Sequence, residues 1–271
     1  STSTTTTTTT TKSNSEPCPN IGSGNESTES DSRRAWQKEE EGQYPWEPGE
    51  YLHLLYVPDM FKARGLFWWR TELLSWVLRL SKALEEQLAM DELKARIGFQ
   101  RPIIGLHVRR GDSCHTTIRQ GRCTHGIQKY VSELRVMRDK YGTRRVFVAT
   151  VDQDVIDDLP TYANEFDFVY IPYNRSALNN QVHKNIEVRV RDGSVPIDVV
   201  VTSFFQDVLL LAESDYFVGH LQSFMSKIAY MLSTAHHKHP RPYISVDGPF
   251  CWMLAICCDI TPSSVFPCNG I

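Results

Sequence analysis

The sequence predicts an α/β protein built on a parallel sheet, preceded by a segment with no core of its own. Three observations carry that expectation. From about residue 99, apolar runs of strand length alternate with amphipathic runs of helical length, the pattern of βαβ units. Residues 1–48 are Ser/Thr-rich and polar, with few apolar side chains. Polar groups also follow three of the strand-like runs, His107–Asp112, Asp152 and Gly219–Ser223, at the strand ends where parallel sheets gather ligands.

The leader "STSTTTTTTTTKSNSEP" cannot bury enough surface to offset the entropy of ordering. Its composition reads as an extended, O-glycosylated stalk, or as a plain disordered leader. In "TELLSWVLRLSKALEEQLAMDELKARIG", Leu73, Val77, Leu80, Leu84 and Leu88 recur at three- and four-residue steps. They predict one long amphipathic helix ending near Gly98. Strands follow at 103–108, 145–152 and 167–172, with helices at 126–142 and 155–166. "PIDVVVTSFFQDVLLLAESDYFVGHLQSFMSKIAYMLSTA" reads as helix, short strand "DYFVG", then helix.

At 271 residues and 41% hydrophobic content the chain can fill a sizeable core, and a net charge of −3 gives no electrostatic reason to expect nucleic acid. The apolar run "FCWMLAICC" (250–258) is too short to span a bilayer and reads as a buried strand or a disulfide-pinned segment. The chain opens at Ser1 without methionine or a signal peptide, which reads as a fragment or processed form. Its seven cysteines form no pair of CxxC motifs, so disulfides are expected rather than zinc, with one cysteine left over. The sequons Asn25-Glu26-Ser27 and Asn174-Arg175-Ser176 agree with a secretory lumen.

The chemistry concentrates in "IIGLHVRRGD". Guanidinium forks closing a buried strand suit a phosphate or pyrophosphate, and Arg109 and Arg110 stand there. "GHLQSFMS" (219–226) places Ser223 where a helix begins, which adds backbone and hydroxyl donors for the same anion. Asp207 lies within an apolar helical run and requires a partner. Neither a Walker A motif nor GxGxxG occurs, which argues against ATPase and dinucleotide oxidoreductase chemistry. The Arg110-Gly111-Asp112 tripeptide abuts a buried strand, against an exposed adhesion loop, and "HHKH" (236–239) reads as a solvated, Pro-flanked loop.

Taken together, these segments resemble the α1,6-fucosyltransferase and protein O-fucosyltransferase superfamily. "IIGLHVRRGD" is similar to its first motif, "VFVATVD" to its second and "DVLLLAESDYFVGHLQSFMSKIAYML" to its third. In core α1,6-fucosyltransferases an aspartate opens the third motif, with a serine sixteen residues later before a helix containing Ala-Tyr. Asp207, Ser223 and Ala229-Tyr230 keep that spacing here. The likeness runs from about 65 to 247. It implies the Rossmann-like, C-terminal donor-binding half of a GT-B-type glycosyltransferase, over 99–271, with 49–98 the helical remnant of a reduced N-terminal domain.

The implied reaction is metal-independent and inverting, moving L-fucose from GDP-β-L-fucose to a glycan or protein hydroxyl with no cofactor. Carried over residue by residue, Arg109 holds the β-phosphate, Ser223 adds a hydroxyl, and His107 and Asp207 read the guanine. Asp152 shapes the donor pocket, and Arg110 and Asp112 hold structural or acceptor-side positions. The glutamate base of the core enzymes falls on Thr117, so His115 and Asp112 are the nearby candidate bases. Neither the coiled coil nor the SH3 domain of those enzymes is visible. The expected partners are a nucleotide sugar and a glycan or glycoprotein acceptor. The expected place is the Golgi or ER lumen, with membrane attachment only through an anchor outside this chain. A same-fold transferase using another nucleotide sugar, or a catalytically impaired nucleotide-sugar-binding protein, are the alternatives.

Overall fold

The computed structural model describes residues 57–110, 126–178, 186–221 and 223–246. The chain divides into two compact units, 1–55 and 56–271, and all described residues belong to the second. All seven cysteines, Asp112, His115 and the 250–258 run lie outside the described residues.

Helices α1 (Gly65–Val77), α2 (Lys82–Leu88) and α3 (Met90–Ile97) lead into β1 (Ile104–His107). Then come α4 (Ile127–Tyr141), β2 (Arg145–Ala149), α5 (Gln153–Asp158), β3 (Asp167–Val169), α6 (Arg175–Leu178) and α7 (Ile186–Arg191). The long α8 (Ile197–Glu213) precedes β4 (Tyr216–Gly219), α9 (Phe224–His237) and β5 (Tyr243–Ser245). Among the described residues the strands number five, all parallel, in the order β3-β2-β1-β4-β5. The chain therefore builds outward from β1 through β2 to β3, then returns to β1's other side for β4 and β5. The reversal falls between β1 and β4, the place where ligands bind in doubly wound sheets.

Side chains alternate across the strands and separate two cores. Ile104, Leu106, Val146, Val148 and Val218 face Tyr130, Val131, Leu134 and Met137 of α4. Phe147, Ala149 and Phe217 face the other way, toward Val208 and Leu211 of α8 and Tyr230 of α9. Gly105 lies on that second face, where a Cβ would come within 2.8 Å of Ser214 Oγ and 3.1 Å of Leu211 Cδ2. The missing side chain is what lets α8 lie this close to β1.

The single long helix expected over 71–98 is instead three. Ser81 caps α2 by accepting the Leu84 N–H at 3.3 Å, and Ala89 turns left-handed at φ 44° between α2 and α3. The five-residue stripe does not share one face: Leu88 is 1% exposed and Val77 65%. The break frees the Leu88 carbonyl, which accepts from Gln206 Nε2 of α8 at 3.1 Å, so packing on α8 overrides the periodicity. The helix expected over 155–166 runs only to 158 before a 3₁₀ turn with Pro160 near its start, a residue that cannot extend an α-helix. The "HHKH" segment is not all loop, since His236 and His237 close α9 and Lys238 turns left-handed.

Asp215, just before β4, pins the opposite end of the sheet. It accepts from Arg101 Nη2 at 2.5 Å, Arg241 Nη2 at 3.1 Å and the Ile103 N–H at 2.9 Å. Burial alone would raise its pKa, but these partners hold it below the ordinary carboxylate value. A depressed carboxylate stabilises the fold above its unfolded pKa and loses that contribution as pH falls through the folded value. Asp215→Asn is expected to cost roughly 2–4 kcal/mol at pH 7. In thermal melts the gap from the parent chain should narrow steadily below about pH 4.

Candidate functional site

At the β1–β4 reversal the carboxyl ends of the two strands lie side by side. β1 ends in His107, and Arg109 and Arg110 follow, both half-buried. β4 ends in Gly219, and His220 and Leu221 carry the chain to Ser223, the N-cap of α9. The Ser223 backbone is extended (φ −80°, ψ 136°) and its hydroxyl makes no capping bond. A helix start of this kind presents N–H donors and positive potential at its tip, and here the serine hydroxyl is not spent on the helix.

His107 is 2% exposed, and its Nδ1 lies 2.5 Å from Ser226 Oγ in the first turn of α9. Burial, then the charge of Arg109, push its pKa well below the ordinary histidine value. It is therefore neutral near pH 7, one ring nitrogen donating and the other accepting. On the opposite face the buried His220 bonds through Nε2 to the Tyr130 hydroxyl of α4, with the rings stacked 5.4 Å apart. Leu221 N–H donates to Ser245 Oγ at 3.2 Å. The turn leading to Ser223 is thus held from α4 and from β5.

Asp152 does not end a strand. β2 stops at Ala149, and Asp152 caps α5 by accepting the Asp154 N–H at 3.1 Å. Its other oxygen faces Arg110 Nη1 at 3.6 Å, so these two sequence-selected residues meet at the rim.

Asp207 sits within α8 and is 3% exposed. Its partner is one the sequence did not single out: the Tyr173 hydroxyl lies 3.1 Å from Asp207 Oδ2 and 2.8 Å from the Thr150 carbonyl. Arg175, also buried, donates from Nε to Thr150 O at 3.1 Å and from Nη2 to Ile171 O at 2.8 Å, and stacks on Tyr173 at 4.3 Å. Burial pushes the Asp207 pKa up to about 7. Tyr173 and Arg175 carry no sequence signal, because they follow β3 in an Asn-rich stretch without periodicity. The demand of Asp207 for a partner was legible; the partner was not. Exposed Asn174, between them, is the second sequon's acceptor.

Residues 58–248 match the alpha-(1,6)-fucosyltransferase N- and catalytic domains family. The chain belongs to the alpha-(1,6)-fucosyltransferase family. Its members are glycosyltransferases that transfer fucose. A curated relative, the alpha-(1,6)-fucosyltransferase of Drosophila melanogaster, is 25% identical over 203 residues, covering 70% of this chain and 29% of the relative. The chain thus spans less than a third of that relative's length. Solved structures of POFUT1 show a more distant likeness. The complex with GDP has a TM-score of 0.41 at 13% identity, covering 66% of this chain and 49% of that one. The complex with GDP-fucose has 0.40 at 14%, with the same coverage. The family match embraces all three motifs, so Arg109, Asp152, Asp207 and Ser223 fall inside it. Among the described residues no helix is long and apolar enough to cross a membrane.

Proposed function

We propose that this chain is the donor-binding half of an inverting, metal-independent α1,6-fucosyltransferase-like enzyme of GT-B type, moving L-fucose from GDP-β-L-fucose to a glycan or protein hydroxyl. The observation that carries the reading is the placement, at the sheet's reversal point, of half-buried Arg109 just after β1 and of Ser223, whose hydroxyl makes no capping bond, at the start of the helix that follows neighbouring β4, in a chain of fucosyltransferase family. In this reading Arg109 and Ser223 hold the pyrophosphate. His107 and Asp207 read the guanine. Because His107 Nδ1 is committed to Ser226, its contact with the base runs through Nε2. Arg110 and Asp152 brace each other across the rim and shape the pocket.

In the reaction the acceptor oxygen bonds to the anomeric carbon as the bond to the β-phosphate oxygen breaks, through an oxocarbenium-like state. Negative charge grows on the departing phosphate, and a preorganised guanidinium stabilises that charge more than the ground state. The acceptor proton passes to a base, for which His115 and Asp112 are the candidates. The sequons and the cysteine content support a Golgi or ER lumenal setting, with any membrane anchor outside this chain. Thr117, standing where the core enzymes have glutamate, favours a second reading: a nucleotide-sugar-binding protein with impaired turnover.

Calorimetric titration in EDTA with GDP, GDP-fucose, GDP-mannose and UDP-galactose tests the donor site. Binding of GDP and GDP-fucose, with UDP-galactose silent, is the expected result. Heat from neither guanine nucleotide would remove the assignment.

A further inference from the structure

The Tyr173 hydroxyl carries one hydrogen and faces two oxygens. Thr150 O, at 2.8 Å, is at an ordinary hydroxyl–carbonyl distance; Asp207 Oδ2, at 3.1 Å, is not at the distance of a hydroxyl held by a carboxylate. Such charge-assisted bonds close to about 2.5–2.7 Å. The single hydroxyl hydrogen is divided between Thr150 O and Asp207 Oδ2, so the carboxyl gains only a long, shared hydrogen bond from Tyr173. The surroundings agree. Arg175, the nearby cation, spends its Nε and Nη2 hydrogens on the Thr150 and Ile171 carbonyls rather than on the carboxyl. The carboxyl itself is 3% exposed, and a buried carboxylate without an ion pair is expensive.

Resting on the reading of Asp207 as the guanine-recognising group, we propose that Asp207 is a neutral acid in the free protein and releases its proton to solvent when the donor nucleotide docks. The edge of guanine presents two N–H donors side by side, and both are satisfied only by the two acceptor oxygens of an ionised carboxylate. The O–H bond of Asp207 breaks, the proton leaves to buffer, and two N–H···O bonds replace it; no electrons change hands. Donor affinity is thereby linked to pH through a residue that touches neither the phosphates nor the sugar.

The upward shift of Asp207 to about 7 by burial sets the window: the proton is present below neutrality and lost above it. The titratable and charged groups acting on this carboxyl are Tyr173 and Arg175, both from the segment after β3. The elements packed on α8, namely β1, β2, α2 and α9, add no further charge to it among the described residues.

Two measurements on the chain decide the matter. GDP-fucose is the probe because its β-phosphate is esterified and does not titrate near neutrality. Calorimetry at pH 6 in buffers of different ionisation enthalpy should count about one proton released, falling toward zero at pH 8.5. The affinity should drop about tenfold per pH unit below 7. Infrared difference spectra at pH 6 should show the carbonyl stretch of a protonated carboxyl in the free protein. That band is assigned by its loss in Asp207→Asn and by its shift on ¹³C-aspartate labelling, and it should vanish on adding GDP-fucose. No such band in the free protein, or a band unchanged by bound GDP-fucose, overturns the inference. Silence of both GDP and GDP-fucose in calorimetry across pH 5.5–8.5 overturns instead the guanine-nucleotide reading beneath it.

Discussion

Arg109→Ala is expected to lower fucosyl transfer by at least about 100-fold and to weaken GDP binding, while the melting temperature stays close to that of the parent. The magnitude is that of removing one preorganised donor from a developing oxyanion. The fold should tolerate the change, because Arg109 is half-buried at a strand end and belongs to neither apolar core. Arg109→Lys separates charge from geometry. It keeps a cation but loses the two-pronged fork, so partial recovery of GDP affinity with little recovery of turnover is expected. Steady-state kinetics with calorimetry read both. Near-parental activity in Arg109→Ala would take the pyrophosphate away from this residue.

Asp207→Asn should stabilise the protein as it disables donor binding. An acid whose folded pKa is raised destabilises the fold as pH climbs through the interval between the unfolded and folded values, here from about 4 to about 7. At one pKa unit per 1.36 kcal/mol, this one group costs roughly 3–4 kcal/mol at pH 8 compared with pH 4. Asparagine cannot ionise and removes that slope. The melting temperature of Asp207→Asn relative to the parent should therefore rise by several degrees between pH 5 and pH 8. Guanine affinity should fall at every pH, since the amide offers one acceptor where the base needs two. A variant equally destabilised at both pH values would mean that the carboxylate is held ionised by its neighbours. The trade is physically coherent: the site stores a buried acid that the fold alone would not choose.

Much of this arrangement follows from local pattern. The β1 run from Ile104 to His107 and the strand–turn–helix through Gly219 and Ser223 are written in strong apolar runs with polar groups at their ends. Burial on both faces of a parallel sheet demands such runs, and the three motifs carry the family resemblance with them. The stripe from Leu73 to Leu88 misled because periodicity describes one helix at a time and is silent on where a chain must turn to pack. Ala89 and Ser81 do the turning, and Gln206 of α8 rewards it. The edge strand β5, three residues long between prolines and the 247–250 stretch, is too short to register as a pattern. It exists because Val218 and Gly219 offer it a ladder.

By itself the sequence determined the alternation of strands and helices, the positions of Arg109 and Ser223 at element ends, and the oddity of Asp207 in an apolar helix. These are local properties, set by side-chain periodicity and by backbone ends that must be satisfied. Only the tertiary structure decided the strand order that brings β1 beside β4, and with it the two segments to which the proposed function gives the donor's phosphates. It alone paired Asp152 with Arg110, and Asp207 with Tyr173, 34 residues apart in sequence. Contacts of that kind depend on how layers stack, and no single segment holds that information.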